Sequence, residues 1–107
     1  MPEKSFIIRL NEFIFIFVYF TTDKGEVGSF VVKLNYLEAD DIFELARYDS
    51  GLHGPHLDIL HPEGFKQRIV DFGMLENAQA LNVAIEDFSN NWELYYERWQ
   101  KWLKERK

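Results

Sequence analysis

At 107 residues without a cysteine, the chain is sized for one domain, residues 1–107, with a single core that needs no disulfides, and it offers no thiolate for a zinc site. Twelve basic against eighteen acidic residues give a formal net charge of -6, which argues against DNA or any sequence-independent nucleic-acid binding, yet leaves room for a local grip on one or two phosphates. The opening MPEKSF has no basic n-region or apolar h-region, and the most apolar run, Phe13 to Phe20, is too short to span a bilayer as a helix; a cytoplasmic protein without membrane attachment is expected.

Residues 5–20, SFIIRLNEFIFIFVYF, read as one strand of β-branched and aromatic residues. In an extended chain Phe13, Phe15, Phe17 and Tyr19 share one face, and Ile14, Ile16, Val18 and Phe20 the other. Both faces are apolar, so both need covering, or one is buried between subunits. The rest of the chain predicts too little helix for two faces. A homodimer or a captured protein partner therefore weighs evenly against a curled sheet that wraps its own second face.

Thr22-Asp23-Lys24-Gly25 is a turn, and a second strand at 27–36 puts Phe30, Val32 and Leu34 on one face, with Ser29, Val31, Lys33 and Asn35 opposite. Leu37 to Asp49 has helical propensity as well, and Asp40 or Asp41 would cap a short helix. A turn at 38–41 and a third strand at 42–49 fit better, with Phe43, Leu45, Arg47 and Asp49 on one face and Glu44, Ala46 and Tyr48 on the other. Two glycines and a proline make Ser50 to Pro55 a loop. A fourth strand follows at 56–61, then a turn at Pro62-Glu63-Gly64 and a fifth strand at 65–72.

Over 75–104, Leu81, Ile85, Phe88, Trp92, Tyr95, Trp99 and Trp102 recur at spacings of four and three, which predicts one long helix with a core-facing stripe, unbroken through Ser89-Asn90-Asn91. Arg98, Lys101, Lys104, Arg106 and Lys107 crowd its end, where cations suit the macrodipole; that accounts for them better than a nucleic-acid patch. The fold class is α+β: an antiparallel β-meander of about five strands packed against one long C-terminal α-helix, its short connections excluding parallel crossovers.

The stretch from Arg47 to Gly64 holds all three histidines, His53, His56 and His61, together with Arg47, Asp49 and Asp58. His56 and Asp58 project from one strand face, and pairing of the third and fourth strands brings Arg47 and Asp49 near them. A carboxylate beside an imidazole fixes its tautomer and raises its basicity, as general acid-base work requires. An arginine holds phosphate or steadies a developing oxyanion. Bland readings stand beside these: an Arg47–Asp49 ion pair, a solvated His53, a His56 that caps the strand, and a His61 that ends it on the opposite face. Asp58 between apolar neighbours is harder to dismiss, since a half-buried carboxylate needs a partner. No high-specificity motif demands a cofactor, but His53, His56, Asp58 and Asp49 suit a divalent metal such as zinc, manganese or nickel.

RYD at 47–49, a Gly-containing loop and HGPHLDILHPEG resemble a small prokaryotic family of uncharacterised meander-plus-helix proteins carrying strand-borne R-Y-D followed by H-G-x-P-H-x-D; the likeness extends through ALNVAIEDFSNNWELYYERW. A more distant resemblance is to TumE-like toxins of toxin–antitoxin pairs, with matches at Arg47, Asp49, His53 and His56. That family implies RNA cleavage restrained by an antitoxin. On this reading His56 is the general base or acid, Asp58 orients it, Arg47 steadies phosphate and His53 is the second proton carrier. A second basic cluster for RNA is lacking. The alternative is a non-catalytic homodimeric or partner-binding module whose polar cluster is structural.

Overall fold

The apolar run at residues 5–20 folds back on itself at Leu10–Phe13. In the computed structural model, which describes residues 2–51, 54–69 and 76–105, Asn11 Oδ1 accepts hydrogen bonds from the backbone N–H groups of Phe13 and Ile14, both at 2.8 Å. A short polar side chain that bonds its own backbone two and three residues on makes a turn where hydrophobicity alone argues for continuation. The single strand expected at 5–20 is therefore two, β1 (Glu3–Arg9) and β2 (Ile14–Asp23). The remaining elements are β3 (Glu26–Glu38), β4 (Asp41–Asp49), β5 (His56–Leu60), β6 (Lys66–Ile69) and α1 (Asn77–Glu105).

The six strands form one antiparallel sheet in the order β1-β2-β3-β4-β5-β6, so every strand pairs with its neighbour in sequence. With α1 packed against it, this is the expected α+β meander, with six strands in place of five. The expected fifth strand at 65–72 is present at 66–69, and residues 70–72, with the expected helix start at 75, lie outside the described residues.

One face of the sheet and one stripe of α1 make the core. Ile14, Ile16 and Val18 of β2 and Val32 and Leu34 of β3 are fully buried, and Phe30 nearly so. Against them α1 sets Ala80, Leu81, Ala84 and Phe88, with Trp99 further along. Ala80 and Ala84 are small enough to let the helix backbone approach the sheet. The predicted stripe is the one used, since Ile85, Trp92, Tyr95 and Trp102 pack on the same cluster. Ring contacts bind helix to sheet: Tyr36 with Tyr96 at 5.2 Å, Phe43 with Trp99 at 6.0 Å and Tyr48 with Phe88 at 5.0 Å between centroids. Tyr48 and Tyr95 both donate hydroxyl hydrogen bonds to Asp87 Oδ2, which gives the polar tips of two packed rings a common acceptor. No described helix is long and apolar enough to cross a membrane.

The strict alternation expected along 42–49 breaks at Leu45. Leu34 pairs with Ala46 and Asn35 with Glu44, so Leu45 is the extra residue of a β-bulge and is only 1% exposed. Before the bulge Phe43 faces the helix, and after it Ala46 and Tyr48 do. Glu44, Arg47 and Asp49 consequently share the opposite face, where alternation had divided Glu44 from the other two.

Candidate functional site

The open face of the sheet, away from α1, carries the polar residues of β4 and β5. Asp49 stands directly across from His56, and Arg47 across from Asp58, in the antiparallel register. Leu57 and Ile59, which alternate with these two, belong to the core under α1, so His56 and Asp58 must point the other way. A single hairpin thus gathers Asp49, His56 and Asp58 from residues that are up to nine apart in sequence.

His56 Nε2 lies 3.1 Å from Asp49 Oδ1 and 3.6 Å from Asp58 Oδ2. The side chains are 7%, 21% and 2% exposed for His56, Asp49 and Asp58 in turn, so the group is sunk into the sheet surface. Two glycines that follow β4 lie against the ring. Gly51 is at φ +57°, and a Cβ there would sit 2.7 Å from His56 Cε1 and 2.8 Å from Nδ1. Only glycine combines that left-handed backbone with so close an approach. Gly54, at φ 109°, brings its carbonyl oxygen to 3.4 Å from His56 Nδ1.

Among the described residues Nε2 of His56 is a buried nitrogen without a hydrogen-bond partner: the carboxylate oxygens are near it, but neither is aligned with it. One ligand atom from each of the three residues falls within 4.8 Å of the others. A tetrahedral ion with bonds of about 2.1 Å holds neighbouring ligand atoms roughly 3.4 Å apart. The 3.1 and 3.6 Å separations bracket that spacing. Two carboxylates and an imidazole at coordination distance are a donor set for a divalent cation, and they would leave positions open to water or substrate.

The surrounding charges are sorted by the bulge. Arg47 donates to Glu44 through both Nε (2.9 Å) and a terminal nitrogen (3.0 Å), and Lys33 Nζ lies 3.6 Å from the same carboxylate. These hydrogen bonds hold the guanidinium above its ordinary pKa; burial opposes the shift, and the charges of Glu44, Asp49 and Asp58 add to it. The expected Arg47–Asp49 ion pair gives way to Arg47–Glu44. Lys66 Nζ approaches Asp58 Oδ2 at 3.5 Å from the neighbouring strand. Sequence reasoning missed Glu44 and Lys66. The bulge hid the first; hairpin register across Pro62-Glu63-Gly64 would have pointed to the second.

Four of the five candidate residues, Arg47, Asp49, His56 and Asp58, lie on this face, and His53 lies outside the described residues. His61 is on the helix side, stacked on Phe65 at 4.1 Å and beside Trp102 at 4.6 Å. Comparison with curated proteins and with solved structures finds no match. A family model described as a domain of unknown function, DUF7718, does match, and because it covers residues 1–105, nearly the whole chain, the chain belongs to that family.

Proposed function

We propose that the chain binds a divalent transition-metal ion through Asp49, His56 and Asp58 and acts with it on phosphodiesters. The observation that carries this is His56 Nε2, buried and unaligned with any acceptor among the described residues, between two carboxylate oxygens at coordination spacing. Metal-free acid-base catalysis fits less well. It needs one ring nitrogen facing the reacting group, whereas here Nδ1 is closed off by Gly51 and Gly54, and Nε2 faces carboxylates. A bound ion would supply Lewis-acid stabilisation of a phosphoryl oxygen or an activated water. Lys66, half exposed beside Asp58, is the cation best placed to meet a phosphate.

RNA as the phosphodiester and an antitoxin as the restraining partner follow from the distant resemblance of Arg47, Asp49, His53 and His56 to the pattern of TumE-like toxins, and the cytoplasm is the compartment this reading takes. Absence of cysteine agrees with a reducing compartment. Titration calorimetry with zinc, manganese and nickel tests the metal, and cleavage of a mixed RNA pool with and without chelator tests the chemistry. Saturable binding at one site, lost in His56→Ala, and chelator-sensitive cleavage are expected. Absence of binding by all three ions would sink the metal reading; binding without cleavage of any RNA would remove the substrate and leave the site.

A second reading has its own support. Arg47 is already committed to Glu44 by two hydrogen bonds and so is not free to grip phosphate. If His56→Ala and Asp58→Ala each lower stability by about 1–3 kcal/mol and no ion binds, the cluster is a structural network in a non-catalytic module.

A further inference from the structure

The outer edge of the sheet at β1 is complementary to itself. Thr22 N–H donates to the carbonyl of Pro2 at 3.1 Å, and Leu10 N–H to the carbonyl of Ile14 at 2.9 Å, which fixes the even-numbered residues of β1 as those bonded to β2. Glu3, Ser5, Ile7 and Arg9 therefore turn their N–H and C=O groups outward. No proline or bulge interrupts this row, and among the described residues no strand pairs with β1 on that side. Such an edge is a template for another strand unless charge or shape blunts it. Its middle is apolar and open: Phe6 is 44% and Ile7 61% exposed. The opposite edge, β6, reads Lys-Gln-Arg-Ile and carries charge through its centre.

We propose that a second copy of this chain pairs antiparallel with β1 about a two-fold axis at Phe6, joining two six-stranded sheets into one. In this register Glu3 meets Arg9 of the second copy, Ser5 meets Ile7, and Phe6 meets Phe6. It is the register that uses the whole of Glu3–Arg9, and it places opposite charges at both ends. Slipping by one pair of residues in either direction leaves Arg9 or Glu3 without its counterpart. Glu3 and Arg9 lie on the same face because both are odd-numbered, and a 2.6 Å hydrogen bond from Tyr19 holds the Glu3 carboxylate there. The Phe6 rings meet on the other face, at a non-hydrogen-bonded pair, where cross-strand side chains come closest. Two-fold symmetry doubles each contact and closes the assembly at two chains, because the pairing consumes the β1 edge of both.

Light scattering on the full chain across a concentration series tests this. A species of twice the 12.8 kDa chain mass is expected. Glu3→Arg and Arg9→Glu, made singly, set like charges together at both ends and should weaken association at least about tenfold. The double variant Glu3→Arg/Arg9→Glu restores both pairs and should recover the dimer. Circular dichroism on each variant separates lost pairing from lost folding, and the double variant carries the test where a single one does not fold. A wild-type monomer at all concentrations overturns the proposal, as does a dimer indifferent to both single reversals. Failure of the double variant, if folded, to recover the dimer overturns the register. None of these outcomes depends on whether the His56 group binds metal.

Discussion

Gly51→Ala is the sharpest perturbation of the His56 group, because it alters neither a ligand nor a charge. Gly51 occupies φ +57°, a left-handed conformation that costs a residue with a Cβ about 1–2 kcal/mol. For 107 residues, an unfolding entropy of about 2.1 cal/mol/K per residue gives about 0.22 kcal/mol/K, so the backbone term alone lowers the thermal midpoint by about 5–9 °C. The new methyl would also stand 2.7 Å from His56 Cε1, where ordinary contact begins at 3.4 Å. The ring must retreat by several tenths of an ångström, against a tolerance of about 0.2 Å for metal–ligand distances. The expected result is a lowered midpoint together with at least a tenfold loss of zinc or manganese affinity by calorimetry. Gly51→Asn separates the two effects, since asparagine tolerates the left-handed backbone better yet carries the same Cβ. Its midpoint should fall less, and its metal affinity as far. Full metal affinity in both variants would show that His56 is not a ligand, and the coordination argument would fail with it.

Three other outcomes follow from the same structure. Asn11→Ala removes the acceptor of two backbone hydrogen bonds in the β1–β2 turn and should cost about 1–2 kcal/mol in denaturant unfolding, with loss of amide protection at Phe13 and Ile14. Phe88→Ala empties a fully buried site under Tyr48 and Tyr95 and should cost about 3–5 kcal/mol, enough to unfold much of the population of a marginal domain. Tyr48 and Tyr95 are both raised above the ordinary value of 10.0, chiefly by burial and then by bonding to Asp87. Below pH 10 both rings are protonated folded or unfolded; above it the unfolded chain loses its protons first. Stability should therefore decline with rising pH by up to about 1.4 kcal/mol per unit for each tyrosine, and Tyr95→Phe should make that slope shallower in pH-dependent urea melts. An unchanged slope would mean that the ring does not stay protonated in the folded chain.

Much of the fold was legible because two periods dominate this sequence. The stripe from Leu81 to Trp102 repeats at helical spacing over the whole of α1, and the burial of Phe30, Val32 and Leu34 follows from strict alternation in β3. Alternation also placed His56 and Asp58 on one face, opposite Leu57 and Ile59. Legibility ended where a local polar group overrode the pattern. Asn11 competes for its own backbone and splits one apparent strand into a hairpin, which hydrophobicity cannot signal because both halves are equally apolar. Recognising Leu10-Asn11-Glu12 as a turn would have exposed β1 as an edge strand, and with it the self-complementary row from Glu3 to Arg9.

The bulge at Leu45 had the larger effect on the site. A one-residue insertion changes the face of everything on one side of it, so sequence alternation anchored at Asp49 misassigns Phe43 and Glu44. Restoring the bulge brings Glu44 beneath Arg47, and the two hydrogen bonds between them remove the arginine from its expected place beside Asp49. What remains around His56 is then richer in carboxylate than the sequence suggested, with Lys66 Nζ 3.5 Å from Asp58. Of the two chemistries the sequence offered for this cluster, arginine-assisted acid-base work and divalent-metal ligation, the geometry favours the second. A single extra residue in β4 therefore decides whether Arg47 is available to the His56 group.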